Sequence, residues 1–168
     1  SILPTSFSVT SDGQTLTLDG DYFLGASASS FIGAYSSIII NNSTGATRTA
    51  TLDGAGHTVY FPYNMVSSTF QFTGDGVVLT VQNVTFQGYN PAAVSYASAN
   101  AKIIFGDNTK LILDKDISIL YTDKTLTCSG NVLLDGQNLT LTASGDSALS
   151  MQGAGKTLTI KNTILKPQ

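Results

Sequence analysis

The chain has 168 residues, of which 42% are hydrophobic and only 11% are charged, and its formal net charge at pH 7 is −3. The acidic residues are all Asp, Arg48 is the only Arg, and the Lys residues are scattered. Without a basic stripe, binding to nucleic acid or to an anionic membrane surface is not expected. Strong helix formers are scarce and no apolar run could cross a bilayer, so we predict an all-β chain without membrane insertion.

A short module recurs along the chain: two apolar residues one apart, a polar turn, and two more apolar residues one apart. The six copies join residues 7–9 to 16–18, 50–52 to 59–61, 70–72 to 79–81, 103–105 to 111–113, 132–134 to 139–141, and 149–151 to 158–160. Repetition at intervals of about 20 to 30 residues indicates a solenoid. Because residues two apart share one face of a strand, each apolar pair is predicted to face the core.

Stacking the copies predicts three strand columns in each coil. The first column is predicted to contain Phe7/Val9, Ala50/Leu52, Phe70/Phe72, Ile103/Phe105, Val132/Leu134 and Leu149/Met151. The second is predicted to contain Leu16/Leu18, Val59/Phe61, Leu79/Val81, Leu111/Leu113, Leu139/Leu141 and Leu158/Ile160. The third is predicted to contain Val84/Phe86, Ile117/Ile119 and Thr163/Leu165. With an irregular coil inside residues 23–42, these columns predict about seven coils in one solenoid domain, residues 1–168, with a longer loop inserted at 87–100.

Three stretches, Leu52 to Val59, Leu79 to Phe86 and Leu158 to Asn162, carry a resemblance to known proteins. They resemble the rungs of right-handed parallel β-helix proteins, which include the pectin-lyase-like superfamily. They are most similar to the passenger repeats of bacterial autotransporters and polymorphic outer-membrane proteins. The resemblance implies an all-β, single-stranded, right-handed parallel β-helix with an exported, extracellular or cell-surface role; right-handed coiling is also usual for parallel strands joined by crossovers.

Three Asp-Gly turns are the first candidate for chemistry. Asp12, Asp53 and Asp135 precede Gly at places that the repeat makes equivalent, and a stacked column of carboxylates would suit a calcium ion. Alternatively, each Asp caps its own turn while Gly supplies the positive φ. The second interpretation is favoured because the other copies carry no Asp there, so no metal and no other cofactor are expected.

Polysaccharide cleavage and ice binding are two further alternatives. Pectin-lyase-like enzymes combine Asp clusters with an Arg base or use several close Asp residues, whereas here Arg48 stands alone and the pairs Asp19/Asp21 and Asp114/Asp116 flank predicted turns. A non-enzymatic protein is therefore expected. An ice-binding face would need an unbroken outward lattice of Thr pairs, and the predicted lattice is Thr15/Thr17, Thr58/Tyr60, Val78/Thr80, Lys110/Ile112, Asn138/Thr140 and Thr157/Thr159. Val78, Lys110 and Ile112 interrupt this Thr lattice in its middle copies.

The segment 87–100 is the candidate for recognition. Loops on a rigid scaffold often bind partners, and exposed Tyr suits contact with protein or sugar. Tyr89, Asn90 and Tyr96 are the binding candidates, and an adhesin that recognises a host protein or a glycan is the alternative function. Sequons for N-glycosylation begin at Asn41, Asn42, Asn83 and Asn138. The single Cys128 is predicted to face the core.

The repeat continues to within a few residues of both termini, and no amphipathic cap is visible there. Uncapped solenoid ends expose unpaired strand edges. We therefore expect assembly with a second copy of the chain, head to tail, through ends formed by Phe7, Val9, Leu158, Ile160 and Leu165. Since such contacts do not close on themselves, the leading hypothesis is an extracellular structural protein that forms a fibre or filament, or a segment of a longer surface stalk.

Overall fold

The computed structural model describes residues 6–25, 37–64, 69–119, 125–144 and 148–167, which form β-strands and one short 3-10 helix at Pro91–Ala93. The strands are β1 (Ser6–Ser8), β2 (Gln14–Thr17), β3 (Tyr22–Phe23), β4 (Ile38–Asn42), β5 (Arg48–Asp53), β6 (Thr58–Tyr60), β7 (Phe70–Gly74), β8 (Val77–Gln82), β9 (Val84–Gln87), β10 (Val94–Tyr96), β11 (Lys102–Phe105), β12 (Thr109–Ile112), β13 (Ile117–Ile119), β14 (Leu126–Cys128), β15 (Val132–Ala143), β16 (Leu149–Met151) and β17 (Leu158–Pro167).

The strands pair only in parallel within the described residues, and they form three sheets. Sheet A has the order β1-β4-β7-β10, and sheet B has the order β16-β14-β11-β8-β5-β2. Sheet C has the order β13-β15-β12-β9-β6-β3, with β17 also paired to β15. A chain that visits three parallel sheets in rotation is a parallel β-solenoid, so the predicted all-β parallel solenoid with three strand columns is confirmed.

The number of turns differs from the prediction. Four successive turns, from β1-β2-β3 to β10-β11-β12, each place one strand in all three sheets, and the solenoid has about four turns rather than seven. The prediction was wrong because it counted one coil for each repeated module. A module contains two apolar segments, whereas a full turn contains three strands.

The predicted columns also grouped residues whose strands belong to different sheets. Leu52 belongs with Val81 and Phe105 in sheet B, whereas Phe72 belongs with Phe7 in sheet A through Ile40. The module at 132–141 is a single bulged strand, β15, and not two strands. The same apolar alternation serves every face of the prism, so the pattern identifies strands but does not identify the face on which each strand lies.

The core consists of inward side chains that stack from turn to turn. In sheet C the stacked partners are Tyr22, Val59, Phe86, Leu111, Leu134 and Ile160. In sheet B they are Leu16, Leu52, Val81, Phe105, Cys128 and Met151. Cys128 faces the core, as predicted. Since no single turn can bury its own inward face, this stacking between neighbours is what stabilises the fold.

The corners between strands depend on residues that accept a left-handed backbone. Asn83, Asn108 and Asn162 have φ values of 53°, 57° and 50° at corners where the chain changes direction. Asn tolerates this region better than most residues because its side chain can form hydrogen bonds locally. These Asn residues stand directly before or within the turns, so the sequence partly predicts where the corners lie.

The segment 87–100 is not a loop inserted between coils. It contains the 3-10 helix Pro91–Ala93 and strand β10, which pairs with β7 and supplies the fourth strand of sheet A. The predicted irregular coil inside residues 23–42 lies partly outside the described residues; β4 begins at Ile38, as the Ile38/Ile40 pair suggested. In the described part of the chain, no helix has the length and hydropathy needed to span a membrane.

Candidate functional site

The three Asp-Gly turns lie at different corners of the prism. Asp12 lies between β1 and β2, Asp53 ends β5 in sheet B, and Asp135 lies within β15 in sheet C. Asp53 and Asp135 each accept a hydrogen bond from a backbone N–H two residues on, at 2.9 Å and 3.1 Å. The fold therefore does not bring these carboxylates together as one column. Among the described residues, no group of three or more His, Cys, Asp or Glu side chains could hold a metal ion.

Asp12 joins two turns instead of capping its own. Its Oδ1 atom accepts the backbone N–H of Thr49 at 3.0 Å, and its Oδ2 atom lies 3.7 Å from the Arg48 guanidinium. Asp21 and Asp116, from the pairs noted in the sequence, accept the N–H groups of residues 58 and 140 on later turns at 2.9 Å and 2.8 Å. These carboxylates bind backbone atoms of the solenoid itself.

Hydrogen bonds of this kind hold three carboxylates in the charged form. The backbone N–H of Ala55 lowers the pKa of Asp53, and the N–H of Gln137 lowers the pKa of Asp135. The pKa of Asp107 is lowered by the N–H of Asn131 and by Lys156, whose Nζ lies 3.0 Å from Oδ2. A general acid in catalysis needs a raised pKa, so these three carboxylates are suited to structural bonding and unsuited to donating protons near neutral pH.

The recognition candidates of the segment 87–100 have structural roles. Tyr89 is only 5% exposed, packs edge-on against Phe61 and Phe105, and has a raised pKa because it is buried. The Asn90 side chain caps the 3-10 helix by accepting the N–H of Ala92. The ring of Tyr96 stacks on a core Phe with centroids 5.0 Å apart. The exposed tyrosines that the sequence suggested are therefore not on this segment.

The two ends of the stack differ in burial. At the first turn, Val9 is buried, Phe7 is partly buried, and neither side chain is exposed. At the last described turn, Leu158 and Ile160 are partly buried and Leu165 is 52% exposed. Of the five predicted assembly residues, only Leu165 on β17 is exposed, whereas Phe7, Leu158 and Ile160 are partly buried and Val9 is buried. This end is the strongest candidate for contact with further turns.

A surface groove runs along the corner between sheets B and C, and no sequence motif indicated it. It consists of two adjoining depressions of about 540 Å³ and 360 Å³ that share Asn108 and Lys110. A ladder of side-chain hydrogen bonds lines it: Asn108 donates to Asn83 at 3.0 Å, and Asn83 donates to Asp53 at 3.3 Å. Recognising it requires knowing which residues stack at one corner.

The predicted Thr lattice is divided between sheets. Thr15 lies on sheet B, whereas Thr58 lies on sheet C, so the two cannot belong to one flat array. The register instead places Thr15, Thr51 and Thr80 in one outward column of sheet B, where Ile104 follows. An unbroken ice-binding face is not formed by the residues that were proposed for it.

These features define the chain as a parallel β-solenoid with three sheets, a surface groove at one corner and an exposed apolar side chain, Leu165, on the edge strand β17. Comparison with protein-family models, with curated proteins and with solved structures finds no match to this chain. The class of fold is therefore known from the structure, and no family or homologue adds a function to it.

Proposed function

We propose that this protein is a non-enzymatic structural β-solenoid, exported to the cell surface or the extracellular space, whose stack of turns continues past β17. The continuation is either more turns of the same chain, as in a surface stalk, or a second copy that builds a fibre. The observation that supports the proposal most directly is the state of the inward column at β17, which is apolar but open to solvent.

Register partners on β15 and β17 show how the burial of inward side chains changes over one turn. Leu141 is fully buried, whereas its partner Leu165, one turn on and on the same inward face, is 52% exposed. Met151 ends the equivalent column in sheet B and is 41% exposed. Exposed apolar side chains beside an unpaired strand edge favour pairing with another strand. An added turn would bury both the side chains and the edge.

The use of the carboxylates supports a structural role over catalysis. Asp12, Asp21 and Asp116 bind backbone N–H groups of other turns, and Asp53 and Asp135 bind those of their own turns. Polar groups that already have partners in the scaffold hold the stack together. The low fraction of charged residues and the resemblance to autotransporter passenger repeats support the exported location.

We also propose that the coiling is right-handed, as in the β-helix proteins that the sequence resembles. Parallel strands joined by crossovers in one sheet are right-handed in nearly all known cases, because of the twist of the strands.

The test compares two neighbouring substitutions on β17. Leu165→Asp places a charge on the inward column, whereas Ile164→Asp places it on the outward face of the same strand, where Ile164 is 56% exposed. In sedimentation and negative-stain microscopy over a range of concentrations, the unmodified chain and Ile164→Asp should form particles longer than a monomer, and Leu165→Asp should stay monomeric. An unmodified chain that is monomeric at every concentration contradicts the fibre, and equal loss of assembly in both variants contradicts a contact through the inward column at β17.

A second candidate function, an adhesin-type module, is favoured by the groove between sheets B and C. Lys110 lies at the boundary of its two depressions and belongs to none of the ion pairs among the described residues. An unpaired ammonium group beside Asn and Thr side chains suits a glycan or a protein loop that carries an anionic group. Binding to a glycan array that is lost in Lys110→Ala and kept in Lys102→Ala would support this function, and no binding would contradict it.

A further inference from the structure

Strand β15 contains a bulge with an unusual backbone conformation. Its register with β17 shifts between Asp135 and Leu139, and the two residues that bulge out, Gln137 and Asn138, have φ values of 50° and 65°. Two consecutive residues other than Gly in the left-handed region occur at no other described position. A left-handed backbone is unfavourable for residues other than Gly, and less so for Asn than for Gln. Bulges of this kind re-aim side chains and are common beside functional positions.

The bulge exposes one of the four sequons. Gln137 and Asn138 are both exposed, and the Asn138 side chain makes no hydrogen bond within the described part of the chain. Leu139 and Thr140 complete the sequon and return to the regular ladder, where Thr140 pairs with Ile164. The Asn138 amide nitrogen is therefore free to carry a substituent, and the substituent would point away from the solenoid.

The other three sequons have amide groups that the fold already uses. Asn42 is 0% exposed, and its Nδ2 atom donates to the carbonyl oxygens of Ala46 and Gly76 at 2.8 Å and 2.7 Å. The Nδ2 atom of Asn41 donates to Ser43 at 3.2 Å, and that of Asn83 donates to Asp53 at 3.3 Å. A glycan replaces one of the two hydrogens on this nitrogen. At Asn42, where both hydrogens are used and the side chain is buried, the glycan would remove a hydrogen bond and have no space; at Asn41 and Asn83 it would crowd the existing bond.

We propose that Asn138 is an N-glycosylation site, since among the four sequons it is the one whose Asn is exposed and whose amide nitrogen makes no hydrogen bond within the described residues. The inference rests on the proposed exported location, since an Asn-X-Thr sequon meets its glycosyltransferase only along an export route. A glycan at this position lies on the side of the solenoid, one turn before β17, and it points away from the inward column that further turns would cover. Glycosylation and stacking of turns are therefore compatible.

The test directs the chain through a eukaryotic secretory pathway with an added export signal, so that the outcome does not depend on the native location. The secreted, folded protein should carry one N-glycan, seen as a single shift in mass that peptide N-glycosidase removes. The shift should be lost in Asn138→Gln and in Thr140→Val, and it should be kept in Thr140→Ser and in Asn83→Gln. Thr140→Val keeps Asn138 itself, which separates loss of the sequon from misfolding of the bulge.

Two results would overturn the inference: a secreted, folded protein with no glycan at Asn138, or one whose glycan is at Asn41, Asn42 or Asn83. The native location is measured separately, with an antibody applied to intact cells of the source organism and to their culture medium. Absence of the protein from both would contradict the proposed location, while a glycan at Asn138 in the secretory host would still support the site. The two failures are therefore distinguishable.

Discussion

Single Asp side chains in this protein connect neighbouring turns through the backbone. Asp107 shows the arrangement most fully: its Oδ1 atom accepts the N–H of Asn131 at 2.8 Å, and both carboxylate oxygens lie about 3 Å from the Lys156 ammonium nitrogen. One side chain thus contacts the two turns that follow it. The pKa of Asp107 is lowered by these contacts, first by the backbone N–H and then by Lys156.

The lowered pKa values predict acid sensitivity of a defined sign. A carboxyl group with a lower pKa in the folded chain than in the unfolded chain stabilises the fold above its ordinary value of 3.8, and this contribution is lost as the pH falls through the folded pKa. We expect the free energy of unfolding to decrease below about pH 4. In Asp107→Asn the amide still accepts the Asn131 N–H, so the protein should fold and should lose less stability on acidification.

Urea unfolding at pH 7 and pH 3 measures this difference. Asp114→Asn is the matched control, because Asp114 makes no hydrogen bond or ion pair with any described residue. The control should respond to acid as the unmodified chain does. If Asp107→Asn loses as much free energy of unfolding between pH 7 and pH 3 as the unmodified chain does, the charge on Asp107 does not contribute to the acid sensitivity.

At the residue scale, the sequence predicted the local bonds and missed the bonds between turns. That Asp53 and Asp135 cap their own turns follows from an Asp-Gly pair alone, because the partner is two residues away. That Asp12 binds Thr49 could not be predicted, since it depends on a register that no local pattern specifies. Tyr89 was misplaced for a similar reason: the rings that surround it come from β6, β9 and β11 and their neighbours.

At the scale of elements, small residues allow the corners of adjacent turns to approach closely. A Cβ atom at Gly130 would collide with the backbone of Gly106 and Asp107 on the preceding turn. The φ value of Gly130 is not in the left-handed region, so the position requires glycine because of space and not because of backbone conformation. Close backbone approach is a recognised role of glycine in β structures.

Gly130→Ala should therefore be strongly destabilising. Its Cβ would displace the backbone that directly follows β11, and we expect a loss of about 3 kcal/mol, at the upper end for overpacking. Gly13→Ala is the comparison: it has a positive φ of 78° but no heavy atom within 4 Å of the added Cβ, and it should cost roughly 1 to 2 kcal/mol. Thermal or urea unfolding measures both, and an equal or smaller loss for Gly130→Ala would contradict the steric account.

The strands themselves were more predictable than their arrangement. Alternating apolar residues identified β5, β7, β8 and β11 because inward and outward positions differ in every turn. The same rule treated β15 as two strands, since its bulge resembles a turn with Gly and Asn. It also treated β10 as part of a loop, because Val94 and Tyr96 follow a Pro-containing turn and lack a second apolar pair.

For the whole molecule, stability depends on contacts between consecutive turns. Each turn buries its inward residues only against the turns before and after it, so opening of inner strands should require loss of the stack around them. Cys128 is a built-in probe of this property. It is fully buried on β14, between β11 and β16, and burial raises the pKa of its thiol to about 11.

We expect Cys128 to be unreactive toward a thiol reagent at pH 8 in the folded protein and to react at the rate at which β14 opens. The rate should rise with urea in parallel with global unfolding, because both neighbouring strands must separate to admit the reagent. A Cys128→Ser, Thr159→Cys variant places the thiol on the exposed face of β17 and should react at once. Rapid labelling of Cys128 without denaturant would show that the inner strands open independently.

Most hydrogen bonds between a side chain of one turn and a backbone N–H of another share one direction; the N–H groups of Gly13 and Gly45, which donate to Thr49 and Asp75 on later turns, are the exceptions. In the pairs Asp12 to Thr49, Asp21 to Thr58, Asp107 to Asn131, Asp116 to Thr140 and Asn131 to Thr157, the side-chain acceptor lies on the earlier turn and the backbone donor on the later one. A polypeptide leaves the ribosome or an export channel one end first, and domains begin to fold from the amino-terminal side. A finished turn of this protein therefore holds side-chain acceptors in place for residues that have not yet emerged. Folding can advance turn by turn as the chain is delivered, and the growing stack can bind each new segment as it arrives.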